Sequence, residues 1–259
     1  MDAEALLKSG DVAGARSALA TLLRREPGNA QARQFFWQLI ALAGEWEKAG
    51  TQLRALSAAE PKAMMLASVY NQALAAMLVR DAVFAGKERL ESLVGTEPWV
   101  EALLDGANAA NMRAADADER ITAALDMAPA NPGRLNDQPF AWIADADRRF
   151  GPMLEVIIGD RYGVVPFAAV SRIKASEPVD LRDMVWLPVD LELRSGQTSA
   201  ALTPVTYPGT GASGRGPLML GRATEWIDAG GIELGIGQRL LSTDEADFGI
   251  LDVRSLTFD

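Results

Sequence analysis

Gly10-Asp11-Val12-Ala13-Gly14-Ala15-Arg16-Ser17-Ala18-Leu19 is answered 34 residues later by Gly44-Glu45-Trp46-Glu47-Lys48-Ala49-Gly50-Thr51-Gln52-Leu53. The match continues with Leu22 and Leu56, then with Glu26-Pro27 and Glu60-Pro61. A step of two periods from Pro61 lands on Pro129, with Ala117 and Ile121 at the Ala49 and Leu53 positions. Each recurring residue has a mechanical reason. Gly permits a tight turn between two helices, and Ala lets them approach closely. Leu fills the seam and Pro ends the second helix.

A 34-residue period is that of tetratricopeptide (TPR) helical hairpins. Leu19, Leu22 and Leu23 fall at helical spacing, as do Phe36, Leu39 and Ile40. Asn29, after Pro27-Gly28, and Pro98, after Thr96-Glu97, mark helix starts. The third unit is degenerate, with Gly95 where the period predicts Pro. The pattern predicts four further helices over 64–80, 82–94, 98–114 and 116–128. Two readings are open for this array. Its concave side receives a peptide or helix, or the helices only support the second half of the chain. Met64-Met65 and Phe35-Phe36-Trp37 line a groove in the first reading and fill the core in the second.

At Pro129-Ala130-Asn131-Pro132-Gly133 the Ala-rich texture gives way to Pro, Gly, Trp and short β-branched runs, dividing the chain into 1–130 and 131–259. Strands are expected at Phe140–Ala144, Met153–Ile158, Tyr162–Pro166, Met184–Leu187 and Asp190–Leu193. Others are expected at Ala200–Tyr207, Leu218–Leu220, Ile232–Ile236 and Phe248–Leu256. Gly159-Asp160-Arg161 reads as a hairpin, and Phe167–Ile173 and Ser242–Ala246 as helical turns. The expected fold class is α+β in two domains. TPR-like antiparallel helical hairpins come first, and a β-rich, partly open barrel-like domain comes second.

Composition narrows the function classes. The 259 residues contain no Cys and no His. Disulfides, thiol nucleophiles, thiolate zinc sites and Ser-His-Asp chemistry are therefore excluded, and no cofactor is expected. Net charge is −10, with no basic excess in either half. Neither nucleic acid nor an anionic membrane is an expected partner. The start, Met1-Asp2-Ala3-Glu4-Ala5, lacks the form of a signal peptide, and a cytoplasmic location is expected.

Three constellations carry candidate chemistry. Asp145-Ala-Asp147, with Glu155 and Asp160 nearby and Asp183 further on, supplies carboxylates for a hard cation or a carboxylate-based enzyme. The same groups also suit turn caps and ion pairs with Arg148, Arg149 or Arg161. Asp180-Leu181-Arg182-Asp183, followed by Trp186, suits either bidentate recognition of a charged partner or a local ion-pair network. Gly209-Thr-Gly211-Ala-Ser-Gly214 has the spacing of a dinucleotide fingerprint. Pro208 before it and Gly216-Pro217 after it deny the required strand and helix, so it reads as a mobile loop.

The run Trp142-Ile-Ala-Asp145-Ala-Asp147-Arg-Arg-Phe-Gly151-Pro152-Met-Leu-Glu155 resembles the hallmark of the ImpE/TagJ/SciE family of type VI secretion accessory proteins. Arg161-Tyr162 through Pro166-Phe167, Pro178 through Asp183 with Trp186 and Pro188, and Tyr207-Pro208-Gly209 resemble it in the same order. So do Thr224-Glu225-Trp226 and Gly237-Gln238-Arg239. The chain departs from the pattern at Gly163-Val164-Val165, Thr206 and Arg222-Ala223. The resemblance implies a cytoplasmic helper without enzymatic activity. It also implies binding to the N-terminal helix of the small contractile-sheath subunit, and influence on sheath disassembly by the AAA+ unfoldase ClpV. Trp142, Asp145, Asp147, Arg182, Asp183, Trp186, Tyr207 and Trp226 are the partner-binding residues it points to.

Overall fold

The computed structural model describes residues 2–95 and 97–259, leaving Met1 and the helix-start residue Thr96 outside. Seven α-helices come first among the described residues: α1 (Ala3–Lys8), α2 (Val12–Arg25), α3 (Ala30–Leu42), α4 (Trp46–Ala59), α5 (Met64–Phe84), α6 (Pro98–Asn111) and α7 (Ala117–Met127). The turn glycines of the two clean repeats take the left-handed conformation, φ +86° at Gly10 and +73° at Gly44. The Asn29 side chain accepts from the Ala32 N–H at 2.9 Å, capping α3. Pro98 opens α6.

No separate helix occupies 82–94. The helix predicted over 64–80 instead continues to Phe84 and stops at Gly86, whose φ is +70°. The following segment runs extended, and Ser92 bridges Val164 in parallel. Leu93 N–H donates to the Val164 carbonyl and Val164 N–H to the Glu91 carbonyl, each at 2.9 Å. Asn108 of α6 pins this strap by accepting from the Leu90 N–H at 2.8 Å. On α5, Met64, Met65, Val69, Leu78 and Val79 are exposed.

Thirteen strands come next among the described residues, the first eight being β1 (Gly133–Leu135), β2 (Gln138–Phe140), β3 (Ile143–Asp145), β4 (Met153–Ile158), β5 (Arg161–Pro166), β6 (Val170–Ala175), β7 (Trp186–Leu193) and β8 (Thr198–Pro204). A short helix, α8 (Gly216–Met219), precedes β9 (Thr224–Asp228), β10 (Glu233–Gly237), β11 (Leu240–Thr243), β12 (Asp247–Gly249) and β13 (Ser255–Phe258). The main sheet is antiparallel in the order β2-β1-β13-β6-β7-β8-β4-β5. A second sheet is the hairpin β9-β10, and a third runs β12-β11-β3.

Several expectations are corrected here. Leu218–Leu220 is not a strand, because Pro217 sits in the first turn of α8 and presets helical φ. Met184 closes a 3-10 turn, so the two strands expected around Pro188 are one, β7. Phe167–Ala169 turns as expected, but Val170 onward is β6. Ser242 and Thr243 belong to β11, and the Phe248–Leu256 strand is interrupted by a 3-10 turn at Ile250–Asp252. The hairpin at Gly159-Asp160 joins β4 and β5, with Ile158 opposite Arg161.

The strand period of two divides β4 between two cores. Met153 and Ile157 join a cluster with the helices, whereas Leu154 and Val156 join a second cluster on the opposite face. Aromatic rings lock the first cluster across the layers. Trp37 of α3 meets Tyr70 of α5 at 5.6 Å between centroids, and Tyr70 meets Trp186 of β7 at 5.6 Å. Trp46 of α4 reaches the same Trp186 at 6.0 Å. Offset and tilted ring pairs add about 0.5–1.5 kcal/mol each beyond the area they bury.

Candidate functional site

Glu155 lies between Met153 and Ile157 on the helix-facing side of β4, where an isolated carboxylate would be costly. It is instead the centre of a buried seam. Arg80 of α5 grips it with two bonds, Nε to Oε1 at 2.7 Å and Nη2 to Oε2 at 3.0 Å. Arg80 also donates to the Thr206 carbonyl at 2.8 Å. Arg239, fully buried between β10 and β11, pairs with both Glu155 and Asp145, and the Tyr162 hydroxyl donates to Glu155. Tyr207 donates to Asp145 at 2.9 Å and accepts from the Leu240 N–H at 3.1 Å. Burial works to raise the Glu155 pKa, but the two guanidiniums outweigh it and hold the group below its ordinary range. For Asp145 burial wins over Arg239, and its pKa is pushed up to about 6.

The remaining residues of the 142–155 run have comparable structural tasks. Asp147 holds Arg149 through Nε at 3.0 Å and Nη2 at 2.6 Å, and accepts from the Gly235 N–H at 3.2 Å. The Asp145 carboxylate also accepts from the Asp147 N–H at 2.8 Å, closing a tight turn. In the 180–183 cluster, Asp183 accepts from the Val179 and Asp180 N–H groups at 3.0 and 2.9 Å, and Asp180 caps the turn through Arg182 N–H. Arg182 lies 3.3 Å from Asp180 and stands over the Tyr70 ring. The three aspartates proposed for a cation or an enzyme are therefore bound to arginines or backbone N–H groups. Among the described residues no three carboxylates gather as a metal site.

Of the eight partner-binding candidates, Asp145, Asp147, Asp183, Trp186 and Tyr207 are buried. Arg182 is partly buried, while Trp142 and Trp226 remain 41% and 38% exposed. Trp226 projects from β9 and packs its ring on Tyr207 at 5.7 Å, so the surface is coupled to the seam below.

Above the seam a cleft of about 530 Å³ opens between the helical layer and the β9-β10 hairpin. Trp46, Met77, Asp81 and Phe84 line the helical side, and Tyr207, the 208–212 loop, Ile227 and Leu234 line the other. Part of that loop, expected to be mobile, packs against the helical layer. A Cβ on Gly211 would fall 2.7 Å from the Ala43 carbonyl carbon, and the Thr210 hydroxyl bonds Tyr207 and Gly237. Ile227, 51% exposed, stands at the cleft rim. Asp81 was not singled out by sequence reasoning. The signal was present, since Arg80-Asp81 is the one charged pair in the otherwise uncharged run Met64–Phe84.

The family model described as ImpE protein matches residues 137–257. The type VI secretion system accessory component TagJ of Pseudomonas aeruginosa is 39% identical over 262 residues, an alignment spanning 100% of this chain and 92% of the relative. A crystal structure of a protein from Vibrio parahaemolyticus shares the fold, with a TM-score of 0.89 at 22% identity over 99% of this chain and 97% of that one. All the seam residues except Arg80 sit in the matched region and the alignment runs end to end, so this chain belongs to the ImpE/TagJ family of type VI secretion accessory proteins.

Proposed function

We propose that the protein is a non-enzymatic adaptor of the type VI machinery. It holds the N-terminal helix of the small contractile-sheath subunit and thereby modulates sheath disassembly by the AAA+ unfoldase ClpV in the cytoplasm. The observation that carries this reading is the largely apolar cleft between the two layers, with Ile227 at its rim and Trp226 beside it. Its volume lies within the roughly 300–1,000 Å³ common for ligand-accepting clefts. An amphipathic helix laid into such a groove docks through anchors at i, i+3, i+4 and i+7. In this reading residues 1–130 form a TPR-like platform and residues 131–259 the domain that completes the recognition surface. Calorimetry with a synthetic peptide of that sheath helix tests it. Binding with Kd below tens of micromolar, weakened by Ile227→Glu, is the expected result, and no heat at those concentrations overturns the adaptor role.

A further inference from the structure

Charge is balanced almost everywhere in the seam and cleft, and the imbalance lies at one place. Three arginines, Arg80, Arg149 and Arg239, face four carboxylates, Asp81, Asp145, Asp147 and Glu155. The arginines are committed to Glu155, Asp147 and Asp145. Asp81 has no ion pair among the described residues. Its one bond is from the Trp46 indole N–H, at 2.7 Å to Oδ2. The second carboxylate oxygen has no hydrogen bond among the described residues, and the residue is exposed along a cleft also lined by Met77, Phe84 and Trp46. Although the residue as a whole is exposed, desolvation of its carboxylate raises the Asp81 pKa against the pull of the Trp46 N–H and the Arg80 charge.

We propose that Asp81 is the anchor for a lysine or arginine that projects from the apolar side of a helix bound in the cleft. The stem of that side chain packs on the aromatic and Met77 walls while its head pairs with Oδ1. The helical form of the partner rests on the adaptor reading, but the demand for a cation rests on the charge count. A chain carrying −10 overall also favours the approach of basic segments.

Fluorescence anisotropy with two probes tests this on the full chain and on Asp81→Asn, which keeps an acceptor for the Trp46 N–H. The first probe is the sheath helix, with each Lys or Arg replaced in turn by norleucine. The second is a Leu/Ala amphipathic host helix carrying one Lys on its apolar side, or norleucine there. Asp81→Asn is expected to weaken the sheath helix on the order of tenfold. One norleucine replacement should cost the same, and the two losses should not add. The Lys host should outbind the norleucine host on the wild-type chain and lose that advantage on Asp81→Asn. Equal binding of the two hosts, or of the sheath helix to both proteins, overturns the anchor. If the Lys host alone binds, the anchor stands and the sheath adaptor reading falls.

Discussion

Arg80 and Asp81 are neighbours in α5, yet they belong to two different regions. Arg80 points into the seam, where it makes three hydrogen bonds and is shut off from water. Asp81 points into the cleft, where its single bond comes from an indole. A turn of about 100° around one helix separates a charge that holds the molecule together from a charge left over. Buried ion pairs add little over an apolar packing of the same shape, but losing one partner is severe. Seam residues should therefore govern stability, and Asp81 should govern recognition.

That contrast can be broken at several points. The largest effect is expected from Glu155→Ala, which strands Arg80 without a carboxylate and leaves Arg239 with Asp145 alone. We expect a loss of about 3–5 kcal/mol in urea denaturation, and a loss under about 1 kcal/mol would mean that the seam is not the fastener between layers. Tyr207→Phe removes the hydroxyl that serves both Asp145 and the Leu240 N–H, and should cost about 1–2 kcal/mol by the same measurement.

Asp81→Asn should act in the opposite direction. The raised pKa means that the folded protein holds this proton more tightly than the unfolded chain does. Ionising Asp81 therefore costs stability as pH climbs past its ordinary value of 3.8. The variant should melt above wild type at pH 7, with the gap closing as pH falls towards the ordinary carboxylate range. A melting temperature below wild type at pH 7 would place Asp81 with the seam. The smallest effect is expected at the exposed Arg120–Asp116 pair of the α7 start, 2.6 Å apart. Arg120→Ala should leave the thermal midpoint unchanged, since water competes for both groups.

The sequence carried the local features. The spacing of Gly10 and Gly44, the Asn29 cap and the Pro98 start all act within one or two helical turns, and each appears where its chemistry placed it. The β4-β5 hairpin was legible for the same reason, since alternation and a Gly-Asp turn suffice. The long-range features were not legible. Asp145 and Asp147 suited a cation as well as turn caps and ion pairs with nearby arginines, and local sequence could offer Arg149 to Asp147 but not Arg239 to Asp145, 94 positions away in the chain. Trp186 and Tyr207 looked like contact residues, although aromatic side chains are as suited to a core as to an interface. The helix expected over 82–94 failed because a periodic pattern has no way to register the β5 edge that competes for residues 91–93.

That strap along β5 has a consequence for solubility. An eight-stranded sheet that ended at β5 would present a row of free backbone groups to any extended chain nearby. Here Glu91 and Leu93 satisfy Val164 on that side, and a side chain at Gly163 would strike the Glu91 carbonyl oxygen at 2.6 Å. The chain thus covers the middle of this flank with its own backbone. Fibrillar self-association through β5 would first have to peel away a segment that Asn108 ties to α6, so at this border the molecule is insulated against polymerising with its own copies.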